Sequence, residues 1–384
     1  MSADTIATPV LVPEGTAAAE FDRVSVATQW QLVWWRFRRH KLALLATGVL
    51  AIFYFVVIFA DFLAYADPLA SEAQRSLIAP QPVHLSFDGG PSLSVDVLVG
   101  TRDPQTFKRV YVPDPNQRAR LKLFAHGFEY RLLGLIPLDV HLLGIDGEGR
   151  SAENSLFLLG TDVQGRDMWS RLMYATQISM LIGLASVALS LFLGVLLGGL
   201  AGYFGGLVDS LVMRLVEILR SIPTIPLWMG VGAALPKEWD IQRVFFVMTL
   251  IFALIQWTEL ARVVRGRFLS LREEDFVMAA ELAGCSQMRI IFRHLVPSFL
   301  SHIIAATTLA LPTIIIFETS LSFLGLGLRP PAISWGVMLQ QASNVQTLAI
   351  SPWLLIPAGP VILAILAFNF LGDGLRDAAD PYGV

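Results

Sequence analysis

The chain has 384 residues, of which 54% are hydrophobic and 15% are charged, and its formal net charge is −3. A soluble globular domain carries about 25% charged residues, so this composition indicates a membrane protein. The basic residues collect near the ends of apolar runs rather than on one face, which argues against nucleic acid as a partner.

The N-terminal region divides into a tail and a basic aromatic segment. Residues 1–24 are polar and rich in Ala, Thr and Pro, and we expect them to be a disordered tail. They lack the basic start and early apolar core of a signal peptide, so the first span should remain as an anchor. Residues 25–41 place Trp34 and Trp35 among arginines, which favours a helix at the membrane interface. A calmodulin-binding helix would look similar, but this segment runs directly into an apolar run.

Six apolar runs predict an all-α membrane protein with six transmembrane helices. The basic cluster before the first run places the N-terminus in the cytoplasm, and an even number of spans returns the C-terminus there. We therefore expect residues 25–65 to hold the interfacial helix and the first span, and residues 174–384 to form a core with five further spans. The six predicted spans cover residues 42–65, 176–201, 210–235, 243–263, 298–320 and 353–373.

A long polar segment, residues 66–173, separates the first two spans and should lie outside the cytoplasm. Its stretches Leu93–Val99, Lys108–Val112 and Arg120–Phe124 alternate apolar and polar residues between Pro and Gly turns, which is typical of short strands. We predict a small β-containing subdomain in this extracytoplasmic insertion. The following segment DVQGRD, Asp162–Asp167, lacks the closing Glu of a calcium loop, so turn and cap roles are favoured over metal binding.

Glycines and prolines in the spans predict how the helices pack and where they bend. Gly194, Gly198, Gly202 and Gly206 recur every fourth residue, which lets two helices approach closely. Pro223 and Pro226 in the third span and Pro312 in the fifth should kink or break their helices.

Charged side chains at membrane depth are costly unless they are paired or face water. Glu217 in the third span and Glu318 in the fifth are therefore candidates for a translocation path. Arg214 lies three residues before Glu217 on the same helix face, so a structural ion pair near the membrane surface is the alternative.

The polar loop 264–297 carries five arginines, which places it in the cytoplasm. Ser270 and Glu273 fit a capping box, and Glu274 and Asp275 would follow in the first helical turn. Gly284 should end this helix, because glycine tolerates a positive φ.

The predicted loop helix has small and apolar residues on one side. Phe276, Ala279, Ala280 and Ala283 form its expected apolar stripe. Such a helix could dock in a groove of a soluble partner, although periodicity alone favours a helix that lies on its own protein.

The loop sequence, Ala279-Ala280 with Gly284 and Pro297, resembles the EAA loop of permeases in binding-protein-dependent ABC importers. Met278 stands where that family usually has Glu. Further motifs resemble the dipeptide, oligopeptide and nickel branch of these permeases. They are LGTD at 159–162, GRD at 165–167, GYFGG at 202–206, LSFLGLG at 321–327, SWG at 334–336 and LGDGLRD at 371–377.

The resemblance implies an inner-membrane permease of the type I importer fold. It implies a paralogous permease as heterodimer partner, two cytoplasmic ATPases and an extracytoplasmic solute-binding protein. In this family the coupling helix sits in a cleft of the ATPase, which assigns that role to Glu274, Asp275, Phe276, Met278, Ala279, Ala280 and Gly284. Peptides are the cargo most common in the branch, and nickel chelates, opines and oligosaccharides are alternatives.

The sequence carries no P-loop, GxSxG or HExxH motif and no histidine pair at metal-ligand spacing. We therefore expect no covalent chemistry, cofactor or metal in this chain. An ion-coupled secondary transporter or a channel is the rival class, but no repeat relates the two halves of the sequence, and the EAA-like loop has no role in such proteins.

Overall fold

The computed structural model describes residues 28–379, apart from residues 87–91, 103, 105–108, 133, 147–151 and 237. The predicted tail, residues 1–24, lies outside the described residues. The first described helix, α1 (Gln29–Arg39), starts at a capping box in which Thr28 and Gln31 bond each other's backbone, and it lies within residues 25–41, where the sequence predicts a helix. His40 separates α1 from α2 (Lys41–Leu63), since its Nδ1 accepts a hydrogen bond from the Ala43 N–H at 3.1 Å.

A four-stranded antiparallel sheet follows α2, which confirms the predicted β-containing segment. Its strands are β1 (Val83–Ser86), β2 (Ser92–Arg102), β3 (Arg109–Leu132) and β4 (Ile136–Asp146), and they pair in that order. Two of the predicted short strands belong to the single long strand β3. A small core of Tyr65, Val95, Ala119 and Leu156 joins the sheet to the chain on either side of it.

Five apolar helices in the described part of the chain are long enough to cross a membrane. They lie in α2, α4 (Met168–Phe204), α7 (Ile241–Leu271), α11 (Leu300–Phe323) and α14 (Ala358–Ala379). Each coincides with one of the predicted spans. Their shared core includes Phe53, Met180, Phe252, Trp335 and Phe368.

The third predicted span is divided into α5 (Gly206–Ser221) and the short apolar helix α6 (Thr224–Ala234). The break lies at Pro223, whose ψ of 122° is extended and whose ring nitrogen has no hydrogen to donate. Pro312 has no such effect, because α11 continues through it. Proline position within the span therefore decides whether the helix is interrupted.

Short helices fill the two remaining connections. The connection between α7 and α11 holds α8 (Asp275–Leu282), α9 (Gln287–Ile290), a π-helical turn (Ile291–Leu295) and α10 (Val296–Ser298). The connection before α14 holds α12 (Trp335–Gln340) and α13 (Val345–Ile350). A four-residue helix, α3 (Ala152–Ser155), precedes α4.

Three of the four glycines predicted to mediate close packing lie along the contact between α4 and α7. The prediction is wrong for Gly206, which begins α5 and where a Cβ would have no neighbour within 4 Å. A Cβ at Gly198 would fall 2.4 Å from the Ala261 carbonyl oxygen, and one at Gly202 would fall 2.8 Å from the Arg265 carbonyl oxygen. A Cβ at Gly194 would fall 2.8 Å from the Leu260 Cβ. The two helix backbones can therefore meet along three turns because these side chains are absent.

Candidate functional site

The helix α8 begins later than the sequence predicts. Helix α7 continues through Ser270 to Leu271, and the Arg272 N–H still bonds the Phe268 carbonyl at 2.9 Å. Ser270 is therefore an interior residue of α7, and the expected capping box with Glu273 does not form. Buried Phe268 holds this last part of α7 against its neighbours, and the helix passes through Gly266 without a break. Glu274 is the N-cap of α8, without a side-chain cap bond.

The end of α8 agrees with the prediction. Gly284 has a φ of 75°, and its N–H bonds the Glu281 carbonyl at 2.9 Å. The Cys285 N–H reaches back to the Ala280 carbonyl at 3.1 Å, which completes a Schellman motif. A Cβ built on Gly284 would have no neighbour within 4 Å, so this helix end is open to approach.

The two faces of α8 differ from the expected stripe. Val277 is fully buried and Ala280 is 9% exposed, and both pack in a cluster with Phe268 and Ile290. Ala280, predicted to contact a partner, therefore contacts its own protein instead. The predicted apolar stripe omits Val277, whose branched side chain packs against α7.

The opposite face of α8 is open and largely apolar. It presents Asp275, Met278, Ala279 and Leu282, because these residues lie about half a turn away from Val277. Leu282 is 90% exposed, and Met278 and Phe276 are also exposed. Water contact is unfavourable for these groups, so the face is suited to docking against another apolar surface.

Helix α8 is held at the end of α4 as well as of α7. The Tyr203 hydroxyl, in the last turn of α4, donates a hydrogen bond to Glu281 Oε1 at 2.9 Å. Asp209 at the start of α5 forms a bidentate pair with Arg265 of α7. The first contact joins α8 directly to α4, and Val277 and Ala280 of α8 pack against α7, which the second contact joins to α5. Movement of α8 would therefore reach α4 and α7 directly, and α5 through α7.

Glu318 in α11 is 1% exposed and meets protein groups on every side. Ser179 donates to one carboxylate oxygen at 3.1 Å, and Ser322 donates to the other at 2.9 Å. Ser179 also accepts a hydrogen bond from the Trp335 N–H at 3.2 Å. The carboxylate thus joins α4, α11 and α12, and the geometry supports a structural role better than a place on a solute path.

Arg214 and Glu217 form the expected pair on α5, with 3.5 Å between Arg214 Nη1 and Glu217 Oε2. Both side chains are exposed. Glu217 lines a cavity of about 550 Å³ between α5 and α7, together with Arg220, Arg262 and Arg265.

A second ion pair, which sequence reasoning missed, joins Arg220 of α5 to Glu259 of α7. Glu259 lies within the predicted span 243–263, four residues or about 6 Å from the end that leads into the loop 264–297. It lines a second cavity, of about 230 Å³, with hydroxyls and an amide from α4, α7 and α11. Those polar neighbours are Ser190, Gln256, Thr307 and Thr313. An acid within an apolar run was the available signal in the sequence.

At the other end of α4, the DVQGRD segment forms a buried polar cluster. Asp162 Oδ2 accepts hydrogen bonds from Arg166 Nε at 2.7 Å and Gln341 Nε2 at 3.2 Å, and it lies 3.5 Å from Arg171 Nε. Burial alone would raise the pKa of Asp162, but the Arg171 and Arg166 guanidiniums outweigh it and hold the pKa below its usual value.

Asp167 is the N-cap of α4, which is the cap role predicted for it. Its carboxylate accepts hydrogen bonds from the Ser170 N–H at 2.7 Å and the Tyr65 hydroxyl at 2.7 Å. Burial raises the pKa of the Asp167 carboxyl to about 6. Tyr65 follows α2, so this cap fastens the start of α4 to the end of α2.

Comparison with known proteins identifies the family. Residues 194–382 match the family described as binding-protein-dependent transport system inner membrane component. Residues 28–80 match the N-terminal transmembrane domain of oligopeptide transport permease C. The oligopeptide transport system permease protein OppC of Escherichia coli (strain K12) is 42% identical over 223 residues, which are 58% of this chain and 71% of that protein. The chain belongs to the family of binding-protein-dependent transport inner membrane components.

Other relatives of this transport component agree. OppC of Bacillus subtilis (strain 168) is 37% identical over 223 residues, covering 58% of this chain and 70% of that protein. Among solved structures, the MetNI methionine ABC transporter in inward-facing conformations has a TM-score of 0.39 and 19% identity, covering 55% of this chain and 97% of that chain. Its family match and its apolar helices make the chain a multi-pass membrane component of a binding-protein-dependent transport system.

Proposed function

We propose that the chain is the non-catalytic membrane subunit of an ATP-driven importer whose cargo is peptides. The observation that carries this proposal is α8, a short helix with an open apolar face that is fastened to the end of α4 and packs against α7. The relatives that bear the name oligopeptide transport system permease support peptides as the cargo.

In this proposal α8 is the coupling helix. Glu274, Asp275, Phe276, Met278 and Ala279 form or flank its docking face, and exposed Leu282 joins them. Gly284 lets the partner surface approach the helix end, because it has no side chain and its positive φ turns the chain away. Ala280 supports the helix from beneath, and Met278 replaces the family's acid with an apolar contact.

The assembly follows from the family. We propose a heterodimer with a paralogous permease, two cytoplasmic ATPases of which one docks at α8, and a solute-binding protein on the side of the sheet. The chain would lie in the inner membrane with both termini cytoplasmic. The separation of α8 from the sheet supports this arrangement, because 35 residues of α4, or about 52 Å of helix, lie between Met168 and Tyr203.

The solute path is proposed to pass the two cavities beside α7. One is lined by Glu259 and neutral polar groups, and the other by Glu217 and three arginines. The Arg220–Glu259 pair stands between them. A path of this kind offers both charges and hydrogen-bonding groups to a peptide in the membrane interior, where water cannot supply them.

The test is retention of the ATPases on the purified chain. Leu282→Asp places a charge on the most exposed apolar residue of the docking face. Gly284→Asp places a charge at the open C-terminal end of α8. Loss of an apolar contact typically costs about 1–3 kcal/mol, so we expect roughly tenfold or greater loss of ATPase affinity. Peptide uptake into cells should fall with it, while the amount of chain in the membrane stays normal.

Two variants control for trivial effects. Leu282→Met keeps the apolar contact and should retain the ATPases. Val345→Asp changes an equally exposed apolar residue on α13, at the end of the bundle where Gln341 contacts Asp162, and should also retain them. Full ATPase retention and uptake in both α8 variants would show that α8 is not the coupling helix.

A further inference from the structure

The hairpin formed by β3 and β4 extends well beyond the rest of the sheet. Strand β2 pairs with β3 over residues 109–120, whereas β4 pairs with β3 over residues 120–132. The far half of β3 therefore has β4 as its single partner strand. This two-stranded ribbon ends in a tip that comprises residue 132 and residues 134–138.

The ribbon is directed back toward the membrane. Near its base, Leu143 and Ile145 pack beside Tyr65 and Ala66, which follow α2. Four residues closer to the tip, His141 Nδ1 lies 3.1 Å from the carbonyl oxygen of Asp61, in the last turn of α2.

A second contact also indicates that the ribbon runs along α2 toward the membrane. The Phe124 ring on β3 lies 6.0 Å from the ring of Phe62 in α2. Ile136 lies five residues closer to the tip than His141, which is a distance of about 17 Å along an extended strand at 3.3 Å per residue. The tip therefore reaches past the end of α2, on the side of the helix that enters the bilayer.

The tip itself is apolar and open. Leu135 is 82% exposed and Ile136 is 55% exposed, and Leu138 is exposed beside them. Arg131, next to the tip, is exposed as well, and a basic side chain at such a position can extend to lipid phosphates.

The backbone of the tip is also suited to an apolar environment. The Gly134 N–H bonds the Arg131 carbonyl at 2.9 Å, and the Leu135 N–H bonds the Leu132 carbonyl at 3.1 Å. Pro137 has no N–H to satisfy, and the neighbouring residues pair across the ribbon. Backbone groups bonded within the hairpin can enter the lipid interface without losing hydrogen bonds.

We propose that the tip of the β3–β4 hairpin inserts into the headgroup and upper acyl layer of the bilayer that α2 crosses. The occupant of this apolar surface is phospholipid, because the ribbon is continuous with α2 and runs along it toward the membrane. The insertion fixes the sheet against the membrane surface. This inference depends on α2 being a membrane span and does not depend on the identity of the cargo.

The experiment uses the full chain in lipid nanodiscs with an environment-sensitive fluorophore on one cysteine. Cys285 is the chain's single cysteine, so Cys285→Ser supplies a cysteine-free background. Leu135→Cys and, as a second position, Ile136→Cys carry the probe at the tip. Val112→Cys, exposed on the half of β3 that lies outside the ribbon, is the matched control.

Phospholipids with a nitroxide high on the acyl chain should quench the probe at the tip, and its emission should shift to the blue. Iodide in solution should quench the probe at residue 112 and should have little effect at the tip. Strong iodide quenching at both tip positions would overturn the proposal. Protection from iodide without quenching by lipid would also overturn it, because the tip would then be covered by protein.

Discussion

Arg220 and Glu259 are opposite charges within the predicted spans 210–235 and 243–263, and each is more than a third exposed in this chain. Either Arg220→Gln or Glu259→Gln leaves one charge without its partner. An unpaired charge costs about 2.5–3.5 kcal/mol at the centre of a span and less toward its end, and solvent contact removes a further part of that cost. A residual of about 1.4 kcal/mol would lower uptake roughly tenfold.

The exchange Arg220→Glu with Glu259→Arg separates pairing from position. It restores opposite charges across the same contact, so uptake of a labelled peptide should recover if pairing is what matters. No recovery, with normal membrane levels, would mean that the identity of each charge at its own position is required. Unchanged uptake in both single variants would remove the pair from the path.

At this scale the sequence analysis singled out Glu217 and Glu318 among the acids of the predicted spans and missed Glu259. Glu318 and Glu259 look alike in the sequence, since each interrupts an apolar run. The distinction depends on distant residues: Ser179 lies 139 positions from Glu318 and supplies one of its hydrogen bonds. Such partners come together only when α4 and α11 pack, which no local pattern indicates.

Among the helices, the contact between α4 and α7 gives the clearest prediction. Gly198→Leu would place a side chain where the Ala261 backbone lies, because even the Cβ would be 2.4 Å from its carbonyl oxygen. Overpacking of this kind typically costs about 1–3 kcal/mol. We expect a lower melting temperature of the purified chain in detergent and a lower yield from the membrane.

Gly266→Leu is the matched control, since a Cβ at Gly266 in α7 would have no neighbour within 4 Å. It should melt close to the unchanged chain. Equal melting temperatures for the Gly198 variant and the unchanged chain would mean that α4 and α7 are farther apart than the structure places them.

Element boundaries were the least predictable feature. The pattern Ser270–Glu273 has the right spacing for a capping box, yet Ser270 lies inside α7. Packing of Val264 and Phe268 extends that helix, and this tertiary contribution outweighs the local capping preference. Gly284 was predictable because a positive φ is a local requirement that glycine meets without strain.

For the whole molecule, the positive-inside rule gives a topology that labelling can check. Cysteines at Gln117 in the sheet and at Ser286 after α8, each in the Cys285→Ser background, should react with a membrane-impermeant maleimide from opposite sides. In intact cells with a permeable outer envelope, residue 117 should label and residue 286 should not. Labelling of both positions from one side would contradict the six-span arrangement.

The number of spans and the presence of the sheet could be predicted because length and hydropathy decide them. The division of the third span was only indicated by Pro223, since Pro312 lies in an equally apolar run and leaves its helix intact. The order and reach of the strands depend on pairings such as Leu132 with Ile136, which the alternating pattern does not specify.

The length of α4 has a mechanical consequence. One end is clamped by Asp167 to the segment after α2, and the other bears the Tyr203–Glu281 contact. A stiff helix of about 52 Å acts as a lever arm, so a tilt of about 5° about the clamped end displaces the other by roughly 4–5 Å. The hydroxyl of Tyr203 would then travel farther than a hydrogen bond is long. Either Glu281 moves with Tyr203 or the hydrogen bond between them breaks. Because α4 is so long, a small tilt is enough to force one of these two outcomes.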